Sequence, residues 1–223
     1  RLVISQNAKQ KAESATETNR NYSYTKYDVL GRITEVGQLK NATNNSVTQT
    51  ITQDTSAFKT WYTAATATGA NIEMVTRTYY DNKYPVAIGT PALNPANLRN
   101  RVAYTTYTDG NGTANYNTAT FYSYDVHGNV DTLLQDYGSS LITATANIMN
   151  SNAARWKRLV YRYDLISGKV NHVAYQPNYM DTTGKLIRSQ DALYHRYSYD
   201  AENRLIIAET STDSTVWQRD AQY

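Results

Sequence analysis

The chain has 223 residues, with 22 Lys and Arg against 19 Asp and Glu, a formal net charge of +3 spread along the sequence. This argues against a nucleic-acid surface, which needs a concentrated basic stripe. The absence of cysteine excludes disulfide staples and thiolate chemistry, and no apolar run approaches the ~18 residues that a spanning helix requires, so no membrane span is expected.

Tyrosine supplies 21 residues and phenylalanine only two, so rings with a polar tip dominate the core builders. Such side chains, with Thr and Val, suit a pleated, half-buried surface, and the fold class expected is all-β.

In chain order, NAKQKAESATE at 7 to 17 predicts a short helix with its alanines facing a sheet. KYDVLGRIT at 26 to 34 reads as strand, tight turn and strand. Residues 37 to 75, rich in Thr, Asn, Gln and Ala, predict a long excursion from the sheet, with a short helix in DTSAFKTWYTAA at 54 to 65 capped by Asp54 or Thr55. TYYDNKYPV at 78 to 86 is a degenerate copy of the first turn motif, and 101 to 124 predicts a hairpin closed by DGNG. Its second strand runs into YSYDVHGNV at 122 to 130. A second excursion is expected at 138 to 154. YRYDLISGKV at 161 to 170 and YSYDAENRLI at 197 to 206 are further copies, and WQRDAQY at 217 to 223 resembles a copy cut short. Beginning without Met and ending inside a motif copy, the chain reads as a fragment.

A catalytic site is normally assembled once, whereas this motif recurs. Its marks, Asp28, Asp81, Asp125, Asp164, Asp200 and Asp220, are spaced 53, 44, 39, 36 and 20 residues apart, near the range of repeat architectures. The chemistry of each copy is that of a hairpin turn. The aspartates Asp28, Asp125, Asp164 and Asp200 are placed to accept from backbone amides two residues on. Gly31, Gly128 and Asn203, each three residues later, suit a left-handed backbone position. Gly168 lies four after Asp164, so that loop is expected to be one residue longer. The pairs Tyr122/Tyr124, Tyr161/Tyr163 and Tyr197/Tyr199 each share one strand face by the period-two rule, predicting a structural tyrosine ladder.

A Tyr-Asp pair, two or three variable residues, Gly or Asn, a polar residue and an apolar strand is the pattern of YD repeats. On YTKYDVLGRITEVGQL, KRLVYRYDLISGKVNHVAY and HRYSYDAENRLI the chain resembles RHS-repeat (YD-repeat) proteins. Units near 24–36, 77–88, 119–134, 159–175 and 194–210, a truncated unit at 217–223 and insertions at 37–75 and 138–154 make residues 1–223 a partial shell segment on this reading. The resemblance implies successive hairpins in one antiparallel sheet that spirals into a hollow shell, with short helices in the insertions. It further implies a non-catalytic role, enclosing and helping to deliver a C-terminal toxin domain in a secreted or cell-surface protein. The partners implied are adjoining repeats of the same polypeptide, the enclosed toxin, secretion machinery and an immunity protein. Self-cleaving members carry an Asp-Pro-containing plug motif; no Asp-Pro dipeptide occurs here, so no cleavage is assigned.

Other chemistry finds little support. His127, His172 and His195 are the only histidines and lack metal-ligand spacing, so neither a metal nor a cofactor is expected. DGNG lacks the third glycine and helix of a dinucleotide site, and Lys185 after Gly184 lacks the upstream glycine of a phosphate loop. The alternative from another class is a carbohydrate-binding adhesin module in which Trp61 and Trp156 stack on sugars.

Overall fold

The computed structural model describes residues 3–13, 19–43, 47–67, 71–109, 116–137, 155–189 and 191–223. Among the described residues strand far outweighs helix, and the protein is all-β. The strands are β1 (Ile4–Ser5), β2 (Asn19–Tyr27), β3 (Ile33–Thr43), β4 (Asn71–Tyr80), β5 (Val102–Thr108), β6 (Thr118–Tyr124), β7 (Val130–Asp136), β8 (Trp156–Tyr163), β9 (Val170–Tyr175), β10 (Tyr179–Met180), β11 (Leu186–Ile187), β12 (Leu193–Tyr199), β13 (Leu205–Ser211) and β14 (Gln218–Gln222). Twelve of them form one sheet whose order follows the chain, except that β10 and β11 pair with each other and β9 lies beside β12. Each register described is antiparallel. Among the described residues no helix is long and apolar enough to cross a membrane.

The described residues fall into two compact units, one within 3–79 and 105–119, the other within 80–104, 120–137 and 155–223. In the first, three helices accompany the strands: α1 (Ala8–Ala12), α2 (Gln49–Gln53) and α3 (Thr55–Ala67). Asp54 Oδ1 accepts from the Ala57 amide at 2.6 Å, capping α3, and Thr48 caps α2, a helix the sequence pattern did not announce. Phe58, Trp61 and Ala65, at the i, i+3 and i+7 spacing of one helix face, pack on Tyr22, Tyr24 and Leu39. Tyr24 lies so close over Gly37, its register partner, that a Cβ there would sit 2.7 Å from the phenol oxygen. Beneath these rings, Glu35 takes the Tyr24 hydroxyl, Lys26 and Arg77, each at 2.8 Å.

Two expectations for this unit need correction. The alanines of α1 are exposed, and Gln10 turns inward instead, because its amide closes a capping box with Asn7 while donating to Ser23 Oγ at 2.8 Å. The excursion is also narrower than 37–75: β3 continues to Thr43 and β4 starts at Asn71, because the β3–β4 ladder pairs Leu39 with Ile72 and keeps these polar stretches in the sheet. The second excursion, 138–154, lies outside the described residues.

In the second unit, β7, β8, β9, β12, β13 and β14 follow one another. The degenerate copy at 78–86 is not a tight hairpin. After Tyr80 the chain makes a loop through residue 101, whose Ile88, Leu93 and Leu98 are buried. The loop stays anchored because Asp81 donates its amide to Arg101 O at 3.1 Å and accepts the Asn100 amide, so one aspartate closes the mouth of a long loop as others close a short turn. At the chain's end, Asp220 lies inside β14 and accepts from Thr210 Oγ1 at 3.1 Å, so the copy at 217–223 forms a strand rather than starting a turn. The expected DGNG turn falls largely outside the described residues.

Candidate functional site

The recurrent element is the junction where one hairpin turns and fastens to its neighbour. At the first turn the Asp28 amide donates to Arg32 O and the Gly31 amide to Asp28 O, both at 2.9 Å. Asp125 and Asp200 repeat this with Asn129 and Arg204, while Asp164 reaches Lys169 and takes the Gly168 amide, a loop one residue longer. The carboxylates close the turns from within. Asp125 Oδ1 accepts from His127 N at 2.9 Å and Asn129 N at 2.8 Å, and Asp164 Oδ1 from Ile166 N at 3.1 Å and Ser167 N at 2.7 Å. Asp200 Oδ1 takes Glu202 N and Arg204 N. Asp28 binds Arg32 through both its amide and its guanidinium.

These bonds stabilise the charged carboxylate and hold all four groups below the usual aspartate range. The main cause is the Asn129 side-chain amide for Asp125, the Ser167 N–H for Asp164 and the Arg204 N–H for Asp200; at Asp28 desolvation opposes the shift and Arg32 outweighs it. Each carboxylate is committed to backbone amides. Among the described residues no three of His, Cys, Asp and Glu converge as a metal would need.

Gly31, Gly128, Gly168 and Asn203 have φ of 81°, 96°, 69° and 63°, in the region where a Cβ is penalised. The environments differ at two of them. A Cβ on Gly168 meets nothing within 4 Å, whereas one on Gly128 would stand 2.6 Å from the Arg101 guanidinium, which caps the Tyr124 ring and donates to Asn97 O. Gly168→Ala is therefore expected to cost only the conformational term, about 1–2 kcal/mol. Gly128→Ala should cost measurably more in urea unfolding, since Arg101 must also move. Equal losses would mean that Arg101 yields freely.

Just before three of the turns the ladder carries the same irregularity. Tyr27 pairs with Ile33 but Lys26 with Glu35; Tyr163 with Val170 but Arg162 with His172; Tyr199 with Leu205 but Ser198 with Ile207. Thr34, Asn171 and Ile206 are thus extra residues on their strands, bulges that increase local twist.

The tyrosines divide the work. Tyr122 and Tyr124 stack with centroids 6.4 Å apart and planes at 23°, and Tyr161 and Tyr163 at 6.4 Å and 24°. At Tyr197 the stacking partner described is His195, at 6.4 Å and 6°. The second tyrosine of each pair reaches across to the preceding hairpin: the hydroxyls of Tyr124, Tyr163 and Tyr199 donate to Val102 O, Val130 O and Val170 O at 2.8, 3.0 and 2.9 Å. Each acceptor is the first residue of its strand. Beside the ladder pairs that join successive hairpins, each of these steps carries a hydroxyl bonded to backbone. Each of Tyr124→Phe, Tyr163→Phe and Tyr199→Phe should lower stability by about 1 kcal/mol in chemical denaturation.

The two tryptophans meet different surroundings. Trp61 is 7% exposed, edge-on to Tyr22 at 5.5 Å, so its face is core and the expectation of a stacking platform there is corrected. Trp156 carries the Arg155 guanidinium 4.7 Å from its ring centre. Sequence reading missed two polar turns. Asp181 takes Thr183 N and Lys185 N to close the β10–β11 hairpin with Gly184 at φ 81°, and Asp213 takes Thr215 N and Val216 N between β13 and β14. The Asp-x-x-Gly spacing of the first was visible; Met180 in place of tyrosine hid it.

No family model and no curated protein matches the chain. Among solved structures it is similar, over 92% of its length, to 11% of a chain in the crystal structure of TcdB2-TccC3, at 12% identity and a TM-score of 0.29. It is similar to 10% of a chain in the Photorhabdus luminescens Tc holotoxin pore at 12% identity and a TM-score of 0.30, again over 92% of its own length. The chain thus spans about a tenth of the length of these neighbours.

Proposed function

We propose that residues 1–223 are a non-catalytic segment of an RHS-repeat shell, the wall of a container that encloses a C-terminal toxin and helps deliver it from a secreted or cell-surface protein. The reading rests on one observation: the junction of Asp-closed turn and tyrosine hydroxyl recurs at Tyr124, Tyr163 and Tyr199, each fastening a hairpin to the one before. A wall of tandem hairpins needs such a fastening at every step, because an isolated hairpin is marginal in water. Repeated bulges add the twist that a coiling sheet requires.

The partners on this reading are the adjoining repeats and the enclosed domain, with secretion machinery and an immunity protein further out. The intact protein that contains these residues should protect its C-terminal region in limited proteolysis. Replacing Tyr124, Tyr163 and Tyr199 together by alanine should remove that protection. A C-terminal region cut equally fast with the repeats intact would overturn the reading.

A further inference from the structure

The geometry points to an acid-sensitive seam between β9 and β12, sprung by His172. The seam has four pairs, Tyr175–Leu193, Ala174–Tyr194, Val173–His195 and His172–Arg196, so His172 sits at its end. On the other side His172 pairs with Arg162 of β8. Directly paired residues share a face, and the imidazole therefore lies between two arginines, one on each neighbouring strand.

Its remaining surroundings offer a proton no compensation. The ring is 6.0 Å from Tyr194 and 6.1 Å from Trp217, and its Nδ1 is buried without a hydrogen-bond partner. The Trp217 ring, whose face attracts a cation, already holds the Arg196 guanidinium at 4.4 Å. Glu209 of β13, the carboxylate along this row, is engaged by Arg196 at 2.5 Å, and Arg219 of β14, paired with Glu209, adds another cation. His195, on the same strand as Arg196, also acts against a charge on His172. Burial first, then Arg162 and His195, holds the imidazole below its ordinary value of 6.5.

A histidine whose folded pKa is depressed contributes its full stability above the unfolded value and loses it as pH falls. Here the loss begins near pH 6.5 and continues down to the folded pKa. Within that window opening should become up to about tenfold more favourable per pH unit. Protonation puts a positive charge with no hydrogen-bond partner at the last pair of the seam, against Tyr194 and Trp217; moving β12 away returns it to water, and the hairpins part from that end. The inference depends on the sheet alone, not on the shell reading.

Amide exchange on the 223-residue chain, corrected for the intrinsic effect of pH, tests it. Between pH 7.5 and 5.5, protection at 172–175 and 193–196 should fall while β2 and β3 keep theirs. His172→Phe should abolish the pH response. Should that variant not fold, Arg162→Gln, at an exposed position, keeps the test open: by NMR the His172 titration midpoint should move upward. A pH response unchanged in His172→Phe, a seam insensitive to pH in the parent, or a midpoint unmoved by Arg162→Gln would each overturn it.

Discussion

Phe58→Ala is expected to destabilise the first unit by about 3–5 kcal/mol, the usual cost of removing a large buried aromatic side chain. Phe58 is 2% exposed and stands at the centre of the helix-on-sheet core, with Tyr24 at 6.2 Å, Trp61 at 6.2 Å and Tyr62 at 5.5 Å between ring centres. Removing it takes one of the two α3 rings from Tyr24, leaving Tyr62 at 5.1 Å, while the Tyr24 hydroxyl still binds Glu35. The variant should show a lower urea midpoint, and loss of amide protection should concentrate in β2, β3 and α3. A loss under 1 kcal/mol would mean that α3 packs only loosely on the sheet. Trp61→Ala should behave in the same way, as a core defect.

Arg155→Ala should cost about 3 kcal/mol, because it strips the bidentate partner from a carboxylate with no exposure to water. Asp136 is 0% exposed, and Arg155 meets its two oxygens at 2.6 and 2.8 Å. The guanidinium itself is about one-third exposed, which places the expected loss at the lower end of the range for a broken buried pair. The double variant Asp136→Leu with Arg155→Leu should recover much of the loss, since no buried charge then remains. The contrast between single and double replacement in thermal unfolding is the decisive measurement. Equal destabilisation by both would show that other partners of Asp136, not its charge balance with Arg155, set the cost.

Much of the hairpin plan is a local property and was therefore legible. An aspartate that accepts amides two to four residues on, and a glycine or asparagine that tolerates positive φ, act within a single turn, so Asp28, Asp125, Asp164 and Asp200 carry their geometry in their immediate sequence. The extra residue before Gly168 lengthens its loop for the same local reason. Period-two placement likewise put Tyr122 with Tyr124 and Tyr161 with Tyr163 on common faces, where they stack.

Tertiary structure decided what each element meets. That the hydroxyls of Tyr124, Tyr163 and Tyr199 end on a neighbouring hairpin's carbonyl depends on register between segments 22, 33 and 29 residues apart, which periodicity does not specify. Gln10 of α1 turned inward over the alanines because Ser23 of β2 offered an acceptor, and Asp81 closed a long loop because Asn100 and Arg101 return to it. Trp61 looked like a free ring until α3 folded onto Tyr22. Local backbone chemistry is written in a few adjacent residues; burial and cross-strand partnership arise only when distant segments meet, and they determined which rings became core and which histidine came to lie between two arginines.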